Sequence, residues 1–166
     1  MVWPGFRSPK NLLDEEIKMS ARELKLGAYG GFAGGLLFGA MMGMMGMLPM
    51  IGSMVGQPTA GAGFVVHMVN SVIIGAGFAV VLGRFVNGTP SGVGLGLAYG
   101  GAWWILGPLT LMPLFMGMGL GVNWNAAAAV AMLPSLVGHL MFGGVLGLVY
   151  AWLRHRDVGP VLATAG

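Results

Sequence analysis

Glycine recurs at every fourth position along one apolar stretch, residues 24–48. The repeated positions are Gly27, Gly31, Gly35, Gly39 and Gly43. Residues four apart lie on one face of an α-helix, so a helix here carries bare backbone along one side. In water such a helix is unstable, because each interior glycine lowers the stability of a helix by about 1 kcal/mol relative to alanine. In lipid the helical backbone satisfies its own hydrogen bonds, and small residues let another helix approach closely, so the stretch predicts a tightly packed membrane helix.

The composition predicts four such helices in one domain. Of 166 residues, 56% are hydrophobic and 8% are charged, whereas average soluble domains carry about 25% charged residues. A span needs about 20 apolar residues. Four stretches meet that need, at about 25–48, 63–86, 93–116 and 126–153. We therefore predict an all-α integral membrane protein, a four-transmembrane-helix bundle with glycine-rich helix interfaces, in which Pro108 and Pro113 kink the third helix and Pro134 bends the fourth.

The distribution of basic residues predicts the orientation of the bundle. All eight lysines and arginines lie within residues 7–25, at Arg84 between the second and third spans, or at Arg154 and Arg156. The other two connections hold none, so the positive-inside rule places both termini in the cytoplasm, as in a multi-pass protein of the plasma (inner) membrane. Residues 1–24 are expected to form an amphipathic segment at the membrane surface or a solvated extension of the first helix. Residues 25–153 then form the transmembrane domain, and residues 154–166 form a cytoplasmic tail.

Two sequence matches predict an internal duplication. The tetrapeptide Ala-Tyr-Gly-Gly at 28–31 recurs at 98–101, an offset of 70 residues. When His67 is set on His139, an offset of 72, Gly75 falls on Gly147. The two offsets nearly agree, so we predict two tandem two-helix repeats related by an axis along the membrane normal.

His67 and His139 are the first candidates for a functional site. They precede Arg84 and Arg154 by 17 and 15 residues, which places both imidazoles roughly 22–26 Å from the basic ends of their helices. Ionisable residues inside a span usually face the bundle interior and often mark function. Two imidazoles at one depth can ligate both axial positions of a haem b or a related tetrapyrrole. The residues expected to line such a site are Ser71, Gly75, Gly143 and Gly147. The alternative is a pair of packed histidines, each bonded to a serine or to a carbonyl of a neighbouring helix.

The methionines give a second candidate. Of fifteen, twelve lie in the predicted outer half of the bundle or its loops, among them Met41, Met44 and Met45. Thioether sulfur selects Cu(I), and imidazole also binds copper, so these methionines with His67 and His139 are the alternative candidate, a copper-binding or copper-transport site. Methionine is also an adaptable filler of irregular gaps, and glycine-faced helices leave such gaps.

The remaining polar residues narrow the class of protein. The spans hold no Asp, Glu, Lys or Arg between Lys25 and Arg84 or between Arg84 and Arg154, so acid–base groups for an enzyme are lacking there. Asn70, Ser71, Thr110 and Ser135 are expected to make helix-to-helix hydrogen bonds. No basic stripe indicates nucleic-acid binding. We expect a non-catalytic membrane subunit that packs through its glycine faces in a homo-oligomer or a larger membrane complex. The alternatives are a copper protein and an oligomeric pore or channel.

Overall fold

The computed structural model describes residues 9–156, and the described part of the chain is helical without strands. Four helices in it are long and apolar enough to cross a membrane: Ser20–Met44, Ala60–Phe85, Thr89–Phe115 and Leu133–Arg156. The prediction of an all-helical chain with four candidate membrane-spanning helices is confirmed. The first eight residues of the predicted N-terminal segment, and residues 157–166 of the predicted tail, lie outside the described residues.

The first helix is continuous from the predicted N-terminal segment into the first span. This helix, α1, covers Pro9–Met44 and contains 36 residues. Gly46 ends it with a left-handed φ of 68°, and the amide of Met47 donates to the carbonyl of Met42 at 2.9 Å. This is the 6→1 bond of a Schellman ending, which glycine favours because it has no Cβ. The chain then turns into a short helix, α2, at Leu48–Ser53.

The second span begins at a side-chain cap. Thr59 is extended, and its hydroxyl accepts a hydrogen bond of 3.2 Å from the amide of Ala62. This bond satisfies one of the free amides of the first turn. The helix that follows, α3, covers Ala60–Leu82 and continues into a 3₁₀ turn at Gly83–Phe85.

The third span changes its winding at Pro108. It consists of α4 (Thr89–Leu106), a π turn (Gly107–Leu111) and α5 (Met112–Phe115). Proline has no amide hydrogen to donate to the preceding turn. Within the π turn, the Thr110 hydroxyl donates to the carbonyl of Ile105 at 2.7 Å. The irregularity predicted for this helix is therefore a π turn.

The predicted fourth helix, at 126–153, is divided in the structure. Asn125 caps a short helix, α6, at Ala126–Ala131, by accepting a 2.9 Å hydrogen bond from the amide of Ala128. The long helix α7 then covers Leu133–Arg156. Pro134 lies in its first turn, where a missing amide hydrogen leaves no bond unmade. This proline thus begins a helix rather than bending one.

The long helices lie side by side in the order α3, α1, α7 and α4. α1 packs against α3 and α7, α7 packs against α4, and α3 meets α4 only sparsely. At that meeting point the Tyr99 hydroxyl donates to the carbonyl of Ile74 at 2.9 Å. In the 18-residue apolar stretch of each span, 50% and 39% of the first and fourth spans are buried, against 22% and 17% of the second and third. The second and third spans therefore present most of the outer surface.

Candidate functional site

The helix pair α1–α3 is in backbone contact at its glycines. A Cβ added at Gly31 would collide with the carbonyl oxygen of Ser71, and one added at Gly75 would collide with the carbonyl oxygen of Gly27. Only a residue without a side chain fits at these positions. Ser71 itself is 2% exposed, so its side chain lies inside this helix pair.

The helix pair α4–α7 repeats the arrangement. A Cβ at Gly143 would collide with the carbonyl oxygen of Gly96, and one at Gly147 would collide with the carbonyl oxygen of Gly92. A Cβ at Gly100 would likewise meet the carbonyl of His139. Both helix pairs are thus held at the close distance that bare backbone permits.

These contacts have a register different from that of the repeated tetrapeptide. On α3, Gly75 contacts Gly27, and the residue 72 positions later, Gly147 on α7, contacts Gly92. The two partners, Gly27 and Gly92, lie only 65 residues apart. The tetrapeptides lie 70 residues apart. Their tyrosines also differ in environment, because Tyr29 is 60% exposed whereas Tyr99 bonds to α3. The tetrapeptide match therefore does not give the register of the glycine contacts.

His67 is bonded to the neighbouring helix α1. Its Nε2 lies 3.0 Å from the carbonyl oxygen of Gly35 and 3.4 Å from the hydroxyl of Ser71. A carbonyl oxygen only accepts hydrogen bonds, so Nε2 carries the hydrogen and donates it. In the neutral ring the lone pair is then on Nδ1.

His139 holds its hydrogen on the other ring nitrogen. Its Nδ1 lies 2.7 Å from the carbonyl oxygen of Ser135, one turn earlier on α7. By the same argument Nδ1 donates, and the lone pair of the neutral ring is on Nε2. That nitrogen faces the π turn, 3.7 Å from the position that a Cβ would take at Gly107. The two histidines are therefore fixed in opposite tautomers.

Phe38 on α1 contacts both imidazoles. Its ring centroid lies 5.4 Å from that of His67 and 4.9 Å from that of His139, edge to face in both cases. The Phe38 ring is 7% exposed and packs so closely on Gly138 that a Cβ there would collide with it. The structure therefore brings the two predicted ligands together at one aromatic ring.

The space predicted for a tetrapyrrole is filled by protein. Gly75, Gly143 and Gly147 each face the backbone of a neighbouring helix, and Phe38 lies against both imidazoles. A macrocycle between the rings would have to displace Phe38 and separate the helices. In this arrangement the residues do not fit a haem, and the hydrogen bonds of both rings match the alternative interpretation, packed histidines.

The predicted methionine ligands are placed apart from one another. Met41 packs on Gly138, beside the Phe38 ring. Met44 is 83% exposed and Met45 is also exposed, both at the end of α1. Among the side chains that the structure describes, those of residue 17 and residues 20–156, there is no group of three or more His, Cys, Asp or Glu placed to hold a metal ion.

A second polar site, at the opposite end of the bundle, joins three spans. The fully buried hydroxyl of Tyr150 donates to the carboxylate of Glu23, which also pairs with Arg154 at 3.4 Å. The Arg154 guanidinium donates to the carbonyl oxygens of Gly83 and Val86. We call Glu23, Tyr150 and Arg154 the carboxylate clasp. It links the start of the first span to the ends of the second and fourth.

Sequence reasoning missed this clasp. In the sequence, Glu23 lies in the N-terminal segment, and Tyr150 lies near a span end, where interfacial aromatic residues are common. The sequence contains one indication of the clasp: Glu23 and Arg154 have opposite charges and lie at the basic ends of their spans. Since spans one and four end on the same side of a four-span bundle, that signal allows an ion pair between them.

Comparison with protein-family models, curated protein sequences and solved structures found no match to this chain. The class of protein is therefore defined by the structure itself. It is a helical bundle with four candidate membrane-spanning helices.

Proposed function

We propose that the chain is a small, non-catalytic integral membrane subunit built from two tandem helix hairpins that pack through their glycine faces. The observation that carries the proposal is the backbone contact in each hairpin, at Gly31 with Ser71 and at Gly96 with Gly143. Such contacts are typical of helices that associate in lipid, where the hydrophobic effect does not hold helices together. The four spans are apolar in composition and expose many large hydrophobic side chains, as a bilayer environment requires.

The pattern of glycine contacts, which is similar in the two hairpins, supports the tandem repeat. Each hairpin has glycines four residues apart on its first helix that touch a small-residue stripe on its second, at Gly75 in one hairpin and Gly147 in the other. The repeat departs from a strict twofold arrangement, because α1 packs extensively on α7 whereas α3 barely meets α4. The hairpins thus have equivalent interiors and different surroundings.

The hydrogen bonds inside the spans support a structural role rather than a catalytic one. The side chains of His67, Tyr99 and Trp104 bond to carbonyl oxygens of another helix or of the segment before one. His139 bonds to a carbonyl of its own helix. Polar groups used in this way hold helices together.

The orientation is testable because the chain has no native cysteine. Gln57 and Asn87 are exposed in the first and second connections. In intact cells, a membrane-impermeant maleimide should label Gln57→Cys, and it should label Asn87→Cys only after permeabilisation. The reverse pattern would overturn the proposed orientation, with both termini cytoplasmic. Release of the protein by alkaline carbonate would overturn membrane insertion altogether.

Cofactor ligation by His67 and His139 stays a prediction, because each neutral imidazole keeps one lone pair. An absorption spectrum and metal analysis of the same purified sample test it. A Soret band lost in both His67→Ala and His139→Ala would support haem b. Stoichiometric copper lost when Met41, Met44 and Met45 are replaced would support the copper alternative. A colourless, metal-free, folded protein would leave the packed-histidine interpretation.

A further inference from the structure

Asn70 is a polar residue at mid-depth on the outer surface of the bundle. It is the eleventh of 26 residues in the span Ala60–Phe85, which places it about 4 Å from the middle of that span. Its side chain is exposed, and it makes no hydrogen bond, ring contact or ion pair to any group within residues 9–156. The helix-to-helix hydrogen bond expected for Asn70 is therefore not made within the described chain.

A lone carboxamide in hydrocarbon is unfavourable, because its donors and acceptor lose their water partners. A carboxamide carries both donors and an acceptor, so a second carboxamide can satisfy it. Two copies of one membrane protein inserted in the same orientation place the same residue at the same depth. Around a twofold axis along the membrane normal, Asn70 of each copy then meets Asn70 of the other.

We propose that two copies of this chain associate through α3, with the two Asn70 carboxamides hydrogen-bonded across the twofold axis. This inference rests on the proposed membrane insertion and names the partner as a second copy of the chain. The two copies do not associate through their glycine faces, because the glycines at 27, 31, 75, 96, 143 and 147 already contact a neighbouring helix within one copy.

The surface around Asn70 fits a second helix. Val66, Asn70, Ile73, Gly77 and Val80 follow the spacing of 3.5 residues that keeps one seam of a helix against a partner. At Gly77 this seam borders Tyr99 of α4. Ile73 is 63% exposed and Val80 is 70% exposed. α1 and α2 pack on α3, and α4 meets it only sparsely, at Tyr99. Ile73 and Val80 lie outside these contacts, so a second α3 can approach this face without displacing α1 or α2.

Cysteine cross-linking in membranes tests the surface. Ile73→Cys should form a disulfide-linked dimer on oxidation. Val65→Cys is the matched control, because Val65 is equally exposed at 61% and lies about 140° from Asn70 around the helix. Cross-linking at Val65 in preference to Ile73, or at neither position, would overturn the proposed surface.

Replacement of Asn70 tests the hydrogen bond. Interhelical hydrogen bonds in membranes suggest that Asn70→Leu raises the dimer dissociation constant about five- to thirty-fold. Asn70→Gln, which keeps the carboxamide, should retain most of the association. Single-molecule energy transfer between labelled copies, in vesicles of varied lipid content, measures the dimer dissociation constant of each variant. A wild-type protein that stays monomeric, or an Asn70→Leu dimer of unchanged affinity, would overturn the proposal. In either case resistance to carbonate extraction shows that the membrane protein itself remains as proposed.

Discussion

Tyr150, with no exposed surface, donates its hydroxyl hydrogen to the carboxylate of Glu23, which lies 127 residues earlier in the chain. The bond joins the first helix of the bundle to the last. Because Arg154 pairs with the same carboxylate and donates to the end of the second span, three spans meet at one carboxylate. The carboxylate clasp therefore joins the first, second and fourth spans at one end of the bundle.

Tyr150→Phe removes the hydroxyl and keeps the ring that packs on Phe78. Hydrogen bonds to charged groups contribute about 1.5–3 kcal/mol, so we expect the free energy of unfolding to fall by about that amount. Thermal or denaturant unfolding in detergent, followed by circular dichroism, measures the change. Tyr29→Phe is the control, because Tyr29 is exposed and bonds to nothing among residues 9–156. Equal stability of the two variants would show that the clasp contributes nothing.

The class of fold follows from the sequence because it depends on local properties. Four apolar stretches separated by turn residues are sufficient to predict four long helices, since lipid forces the backbone into helices. The break before Leu133 was missed, because Pro134 is compatible both with a bend in a helix and with the first turn of a new one.

The environment of the histidines was not predictable in the same way. The spacing of His67 and His139 from Arg84 and Arg154 predicts that the two imidazoles lie at one depth, and in the structure both contact one aromatic ring. Phe38, which contacts both, carries no sequence signal that separates it from other apolar residues of the first span. The clasp and the position of Asn70 depend on which helices are neighbours, and that is set by packing over long sequence distances.

Two glycines on α4, two residues apart, should respond oppositely to alanine. A methyl group at Gly96 would collide with the carbonyl of Gly143, whereas one at Gly94 meets nothing within 4 Å. Gly96→Ala should therefore separate α4 from α7 and lower the free energy of unfolding by about 1–3 kcal/mol. Gly94→Ala should be neutral or stabilising by up to about 1 kcal/mol. Similar unfolding midpoints for the two variants would mean that α4 and α7 are not in backbone contact.

The Thr110 hydroxyl should position a tryptophan as well as the π turn. It donates to the carbonyl of Ile105 and accepts from the indole Nε1 of Trp124 at 3.1 Å. Thr110→Val removes both bonds, so the Trp124 indole N–H resonance should shift upfield in a ¹H–¹⁵N spectrum. Thr110→Ser keeps the hydroxyl and should leave the resonance close to its wild-type position. A Thr110→Val spectrum identical to wild type would exclude the Trp124 bond.

The opposite tautomers of His67 and His139 give the most direct test of the histidine site. Because the carbonyls of Gly35 and Ser135 only accept, neutral His67 should carry its hydrogen on Nε2 and neutral His139 on Nδ1. Long-range ¹H–¹⁵N correlations from ¹⁵N-labelled imidazole distinguish a protonated ring nitrogen from one with a lone pair. Ser71→Ala should leave the His67 tautomer unchanged, since Gly35 is the closer partner of Nε2. If both rings had the same tautomer, or if either ring exchanged rapidly between tautomers, the carbonyls of Gly35 and Ser135 would not be the groups that hold the imidazoles.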